Sequence, residues 1–138
     1  MDANLYTDTG PDGPAGPVDE EVLARKFQKE LNAGLVALVL LAVLDQADEE
    51  LYGYQIAKQL QQSSGSPIAK QGALYPVLRT LSSLGLLASR VVPSVTGPPR
   101  RYYSITPAGR GTLAHWRGIW RDTRDFVDQF TQSQGVTS

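Results

Sequence analysis

Residues 70–87, KQGALYPVLRTLSSLGLL, constrain the fold more than any other part of this chain. Their large apolar side chains recur at helical spacing, which predicts an amphipathic helix with one buried face. The residues of that face are Leu74, Val77, Leu78, Leu81 and Leu84. Pro76 lacks an amide hydrogen and is tolerated only near the start of a helix, so we expect the helix to begin at residues 71–73. Gly85 is a typical C-terminal stop.

A β-hairpin and a long helix are predicted after this segment. Residues 86–92 and 101–105 are β-prone, and the segment PSVTGPP between them is too long for a two-residue turn. The hairpin should therefore have an extended tip. Thr106 is a suitable N-cap, and Pro107 at the next position favours the start of a helix. Apolar side chains then recur at helical spacing as far as Phe130.

Two helices are predicted before residue 70. Asp19 can cap a helix that runs through Leu44, with a loosened region at residues 32–34. The second half of that helix, LVALVLLAVL, is apolar nearly all round, which predicts burial on several sides. The turn DQADEELYGY leads into a helix over residues 53–62. Its expected inward-facing residues are Tyr54, Ile56, Ala57 and Leu60.

This order of elements predicts a mainly α protein with a small β-hairpin, namely a winged helix-turn-helix with a long C-terminal helix. The length of 138 residues is that of one domain. We expect a disordered, acidic, Gly- and Pro-rich tail over residues 1–17 and a frayed tail over 133–138. The winged helix-turn-helix domain, with the N-terminal helix, should cover residues 18–105, and the C-terminal helix residues 106–132.

Acidic residues are absent from residues 51–121, where nine basic residues lie. Eleven of the 14 acids come earlier in the chain and the other three come later. The net charge of −1 therefore conceals a basic segment, and a polyanion responds to the local charge. A solvated surface that happens to lack acids is the alternative.

The composition argues against an enzyme, a cofactor or a metal site. The chain has no cysteine and a single histidine, His115, and it lacks a phosphate-cradling glycine motif. Its acidic cluster lacks the glycine and the spacing of a calcium loop, so a solvated turn is expected. That cluster comprises Asp45, Asp48, Glu49 and Glu50. The longest apolar run, residues 35–44, is too short to span a bilayer, which predicts a cytoplasmic protein. If the basic segment binds DNA, the bound protein is expected to be nucleoid-associated.

Three motifs resemble the PadR-type transcriptional regulators of bacteria. They are LYGYQIAKQL in the second helix, GALYPVLRTLSSLGLL in the third, and RRYYSITPAGR at the junction of the hairpin and the last helix. The similarity covers roughly residues 34–130 in the family's order and spacing. The chain has a single C-terminal helix that is short for the family, and in this it resembles the smaller subgroup. Members of that subgroup dimerise through this helix and the first one. Two departures are AKQG, which offers no hydroxyl cap, and Pro-Ala-Gly after Thr106, where acids are common.

The resemblance implies a homodimeric, sequence-specific regulator of transcription that binds double-stranded operator DNA as a repressor. It implies that Tyr75 contacts phosphate and that residues 71–73 lie nearest the bases. The predicted DNA-binding residues are Lys70, Gln71, Gly72, Ala73, Tyr75 and Arg79 in the helix, and Thr96, Gly97, Arg100 and Arg101 in the wing. There are three alternatives to DNA contact. Tyr75 could brace the helix, Gln71 and Arg79 could be solvated side chains, and the wing could be solvated. Of the two adjacent tyrosines in the second strand, Tyr103 is expected in the core.

The last helix carries a stripe of large apolar residues that predicts a dimer interface. Its predicted members are Leu113, Trp116, Ile119, Trp120, Thr123, Phe126, Val127 and Phe130. Some relatives in the smaller subgroup bind flat aromatic compounds between these helices. That resemblance raises a second interpretation, in which Trp120, or else Trp116, of each subunit sandwiches a small aromatic effector.

A second function class fits the same sequence. A winged helix can serve as a protein-interaction module without specific DNA binding, and an acid-free basic face would then suit an acidic protein partner. Sequence preference among DNA duplexes discriminates the two classes.

Overall fold

The structure is a computed structural model that describes residues 17–64 and 71–132. Residues 1–16 of the tail predicted at residues 1–17, and the whole tail predicted at residues 133–138, lie outside the described residues, as does Lys70. The side chains of Gln71 and Gly72, although their backbone is helical, are also outside that description.

The fold is mainly helical with one small antiparallel sheet, as the sequence predicts. Its elements are α1 (Glu20–Gln46), β1 (Leu51–Tyr52), α2 (Gly53–Ser64), α3 (Gln71–Ser83), β2 (Leu87–Val92), β3 (Arg100–Ile105) and α4 (Pro107–Thr131). The three strands lie in the order β1-β3-β2, and β2 and β3 form the wing. Strand β1 was not predicted from the sequence, whereas the wing strands lie within one residue of their predicted bounds.

The caps that the sequence predicts at two helices are present. Asp19 Oδ1 accepts hydrogen bonds from the amides of Glu21, at 3.0 Å, and Val22, at 3.3 Å. The helix that follows is continuous across residues 32–34, so the expected loosening there is wrong. Asparagine and glycine lower helix propensity by no more than about 1 kcal/mol each. Burial of the next turns outweighs that loss.

The apolar half of α1 is buried on several sides, as predicted. Every residue from 35 to 44 is buried or half-buried, and four of them are in the core: Val36, Leu40, Leu41 and Leu44. By length and composition alone α1 could also cross a bilayer, because an 18-residue window of this helix has a mean hydropathy of 1.6. That property was not predicted, since the uninterrupted apolar run is only ten residues long.

The chain divides into two compact units at Asn32. The described residues of the first unit include the first half of α1, where Arg25 and Glu21 form an ion pair at 3.8 Å and Phe27 is exposed. The second unit contains the rest of α1 and every later element. The winged helix and α4 therefore belong to one unit.

The predicted leucine face of α3 forms much of the core. Leu74, Leu78 and Leu81 are at most 2% exposed, and Tyr103 of β3 is also buried. Leu84 was expected on the same face but is 64% exposed, because α3 ends at Ser83 and the chain reverses through Gly85, whose φ is +80°.

The inward face predicted for α2 is partly wrong. Ile56 and Ala57 are buried as expected, and Leu60 packs against the core from a half-buried position. Tyr54, however, is 51% exposed and lies beside Tyr52, with its ring stacked at a centroid distance of 6.4 Å. Neighbouring elements cover only part of the first turn of α2. Helical spacing alone therefore does not show whether the side chain of Tyr54 is buried.

The start of α4 is held tightly against the start of β2. Thr106 caps α4 by accepting a hydrogen bond from the amide of Gly109 at 2.9 Å, which confirms the predicted cap. Its hydroxyl also lies within donating distance of the Gly85 and Leu86 carbonyls, at 2.7 and 3.0 Å. A methyl group on Gly109 would overlap the Leu86 carbonyl oxygen and lie 2.8 Å from Ile105 Cγ1. Glycine at residue 109 therefore permits this close approach.

We expect Gly109→Ala to lower the free energy of unfolding by about 2 kcal/mol, because the added methyl group must displace backbone. Gly111→Ala is the matched control, since nothing lies within 4 Å of a methyl group there. It should raise stability by up to about 1 kcal/mol through helix propensity. Urea unfolding followed by circular dichroism measures both, and equal effects would contradict the packing at Gly109.

Candidate nucleic-acid interface

An open groove of about 370 Å³ lies between α3, the start of α2 and the base of the wing. Its walls carry four tyrosines and three arginines. The residues are Tyr52, Tyr54, Tyr75, Tyr103, Arg79, Arg100 and Arg101, with Gly53 and Pro99 between them. The structure thus brings together four predicted DNA-binding residues from α3 and the wing. They are Tyr75, Arg79, Arg100 and Arg101.

Tyr75 both lines the groove and braces α3. Its side chain is half-buried and packs against the core, while a methyl group on Gly53 would overlap its ring. The ring therefore lies directly against the backbone at the start of α2. The bracing role considered for Tyr75 is compatible with a ligand-facing one, because the same residue belongs to the groove wall.

Residues 51–121 contain no acid, but in the folded protein acids from outside this segment lie beside some of its arginines. Glu50 holds Arg90 of β2, whose Nε donates to Oε1 at 2.7 Å and to Oε2 at 3.0 Å. Hydrogen bonding to this carboxylate and its negative charge hold the pKa of Arg90 above the ordinary value. Asp45, near the end of α1, lies 3.4 Å from Arg110 and 3.8 Å from Arg117 of α4. Three of the nine basic residues are therefore compensated by acids that precede the segment in sequence.

The arginines of the groove are different. Within residues 17–64 and 71–132, no carboxylate lies within ion-pair distance of Arg79, Arg100 or Arg101. Arg101 Nη1 donates to Ser89 Oγ at 3.2 Å, and the Arg100 guanidinium lies 4.5 Å from the centroid of the Tyr52 ring. Neither contact neutralises the charge. The groove therefore concentrates positive potential where α3 meets the wing.

The phenol of Tyr103 forms a neutral floor beside these charges. Burial raises its pKa above the ordinary value of 10, although the positive charges of Arg101 and Arg79 oppose that effect. The hydroxyl group is therefore protonated at physiological pH. An anion entering the groove meets phenol groups and guanidinium groups, and no negative charge from Tyr103.

Three further predicted DNA-binding residues whose side-chain positions the structure describes lie outside the walls of this groove. Ala73 is exposed on α3, and Thr96 and Gly97 are exposed at the tip of the wing. The adjacent Val95 is fully exposed. These positions are accessible to a ligand that extends beyond the groove in both directions.

The far half of α4 presents an exposed apolar stripe. Its large members are Ile119, Trp120, Phe126, Val127 and Phe130, whose exposed fractions run from 38% to 65%. The rings of Phe126 and Phe130 lie edge to face, 5.1 Å apart. Thr123 is exposed between them.

The first turns of α4 are not part of that stripe. Leu113 is 1% exposed and belongs to the core, so its side chain is already covered within the protomer. Trp116 is half-buried and packs against the same core. Helical spacing groups these residues with the stripe, but the sheet covers the beginning of the helix.

Sequence reasoning missed the contribution of residues 52–54 to the groove. A two-residue strand gives no alternation of apolar and polar residues, and its pairing with β3 joins positions about 50 residues apart. The only local signal was the density of aromatic residues in LYGY.

Comparison with known proteins places this geometry in a family. Residues 40–115 match the model of the Transcriptional regulator PadR-like family. The chain is 38% identical over 96 residues to Transcriptional regulator Rv3488 of Mycobacterium tuberculosis, a match that covers 67% of this chain and 78% of that protein.

Solved structures agree with that match. A PadR family transcriptional regulator from Eggerthella lenta superposes with a TM-score of 0.70 at 31% identity, covering 83% of this chain and 96% of that one. A PadR family transcription regulator from Clostridium difficile gives a TM-score of 0.58 at 28% identity and covers 70% and 97%.

Proposed function

This chain belongs to the PadR-like family of transcriptional regulators. On that premise we propose that it is a homodimeric repressor, and that it binds its operator through the groove between α3 and the wing. Regulation of transcription by binding DNA is the function of the family. Beyond the family's function, we propose which residues contact DNA, that the protein acts as a dimer, and that it represses transcription.

The interface is supported by the difference between arginines that pair with a carboxylate and arginines that do not. Charges that lie elsewhere on the acid-free segment, at Arg90, Arg110 and Arg117, are compensated by carboxylates. Those at Arg79 and Arg100, which line the same groove, have no carboxylate partner among the residues that the structure describes. A duplex carries a phosphate charge about every 1.7 Å of its axis, so it is the ligand that such a charged groove suits.

The exposed residues around the groove suit the rest of a duplex. An α-helix fits the major groove of DNA, which is about 12 Å wide, and Ala73 at the start of α3 would then lie near base edges. The wing tip, at Thr96 and Gly97, would reach the neighbouring backbone, where a small residue allows close approach. Arg79 and Arg100 would contact phosphates between these two points.

We expect fluorescence anisotropy to show preference for the duplex immediately upstream of this protein's own gene over a scrambled duplex. With three groove arginines in each of two protomers, the slope of log affinity against log salt should be about −5. Arg79→Ala and Arg100→Ala should each reduce that slope by about 2, since each removes one phosphate contact from each protomer.

Arg25→Ala is the matched control for that experiment. It removes the same charge from α1, where Arg25 pairs with Glu21, and should leave the slope unchanged. No binding to either duplex at low salt would contradict the proposal and favour the protein-interaction module.

The exposed stripe of α4 supports the dimer. A second copy of the same stripe offers an apolar surface of matching chemistry, and association would remove Phe126, Val127 and Phe130 from water. Leu113 and Trp116 lie at its buried end, so we confine the interface to residues 119–130.

We expect Phe130→Glu to weaken dimerisation by at least about 100-fold, because a carboxylate would be buried without a partner. Phe130 is 65% exposed in the protomer, so the protomer should still fold. Gln129→Glu adds the same charge at an exposed neighbouring position and should leave the dimer intact. Sedimentation equilibrium distinguishes the two variants, and a monomeric parent protein would contradict the dimer.

We also propose that a flat aromatic effector binds between the Trp120 residues of two protomers and releases the DNA. Trp120 is 38% exposed and lies in the stripe, whereas Trp116 packs against its own core and is the weaker candidate. Aromatic rings stack favourably on flat ligands.

A planar dye should quench the tryptophan fluorescence of the parent protein and lower its affinity for DNA. Trp120→Ala should lose both responses, and the control Trp116→Phe should keep them. Equal quenching in Trp120→Ala would contradict an effector site at this residue.

A further inference from the structure

We propose that Tyr52 is a positioning residue for Arg100, whose guanidinium group it holds at the wall of the groove, ready for a phosphate. This inference rests on the proposed DNA-binding function and names the residue that pre-organises one of its contacts.

The central contact is a cation–π interaction. Arg100 Cζ lies 4.5 Å from the centroid of the Tyr52 ring, inside the distance of about 6 Å at which such contacts are favourable. Arg100 is the first residue of β3 and its side chain is exposed. A free arginine there would sample many rotamers and lose that freedom on binding. The ring of Tyr52 restricts it beforehand.

Tyr52 is itself fixed from several directions. Its main chain pairs with Tyr102 of β3, and its ring meets the Tyr102 ring edge to face at a centroid distance of 5.3 Å. The ring of Tyr54 stacks beside it at 6.4 Å. Its amide donates a 3.0 Å hydrogen bond to Gln55 Oε1, the reach-back half of a capping box at the start of α2. Tyr52 therefore links α2 to the base of the wing.

A second arginine beside this tyrosine cluster shows why an aromatic partner matters. Arg90 lies 5.9 Å from the centroid of Tyr102, but the carboxylate of Glu50 also binds it. A carboxylate orients a cation and neutralises it, whereas an aromatic ring orients a cation and leaves its charge available. Arg100 is held in the second way, so it can still attract a phosphate group.

The first test observes the contact without DNA. In the NMR spectrum of the full chain, the Arg100 Nε–Hε signal should be displaced upfield by the ring current of Tyr52. Tyr52→Phe keeps the ring and should keep the displacement, whereas Tyr52→Leu keeps an apolar side chain and should lose it. An undisplaced signal in the parent protein, or no change in Tyr52→Leu, would overturn the proposal.

The second test is a double-mutant cycle on DNA affinity, with the operator duplex as the probe. Tyr52→Leu should weaken binding about threefold for each protomer engaged, the size expected of an exposed cation–π contact, and Tyr52→Phe should restore it. In an Arg100→Ala background Tyr52→Leu should have no further effect. In the control background Arg90→Ala it should keep its full effect.

The outcomes separate this inference from the function on which it rests. If Tyr52→Leu weakens binding equally with and without Arg100, Tyr52 is only structural and the positioning role is wrong. If Arg100→Ala leaves DNA affinity unchanged while Arg79→Ala lowers it, DNA binding stands and the positioning role is again wrong. If neither arginine matters, the proposed DNA interface fails as well.

Discussion

Burial of one face of α3 decides where the rest of the groove lies. Full burial of a leucine side chain contributes roughly 2 kcal/mol, and Leu74, Leu78 and Leu81 are all nearly inaccessible. These three residues fix the rotation of the helix about its axis. Tyr75 and Arg79, at the intervening positions, are consequently directed towards the start of α2 and the wing.

The charges of the protein are sorted by the same packing. The acids at and beyond the end of α1, Asp45 and Glu50, lie where the arginines of α4 and β2 reach them. The arginines of the groove are beyond that reach, and no acid among residues 17–64 and 71–132 forms an ion pair with them. A chain with a net charge of −1 can in this way present a strongly positive surface to one ligand.

Helix α4 connects the two proposed interfaces. Its first turns, with Gly109 and Leu113, are packed into the core beside the sheet, and its far half exposes Phe126 and Phe130. Since α4 is one continuous helix of 25 residues, a partner on its far half would be connected to the wing through uninterrupted secondary structure. This arrangement gives a physical route by which an effector at Trp120 would influence the groove.

The sequence by itself determined the elements whose signals are local. Apolar spacing predicted α3, capping chemistry predicted the start of α4 at Thr106, and β-prone runs predicted both strands of the wing. The same local reasoning, supported by the family resemblance, predicted DNA contacts for Tyr75, Arg79, Arg100 and Arg101, and these four residues line one groove in the structure.

Only the tertiary structure decided which of these surfaces are covered and which charges are compensated. Helical spacing shows which residues share a face, but not what packs against it, so the predicted burial of Leu84 and Tyr54 was wrong. Tyr52 reached the site through strand pairing with Tyr102, 50 residues away, which leaves no local pattern. The compensation of Arg110 by Asp45 is likewise a contact across 65 residues, and only folding creates it.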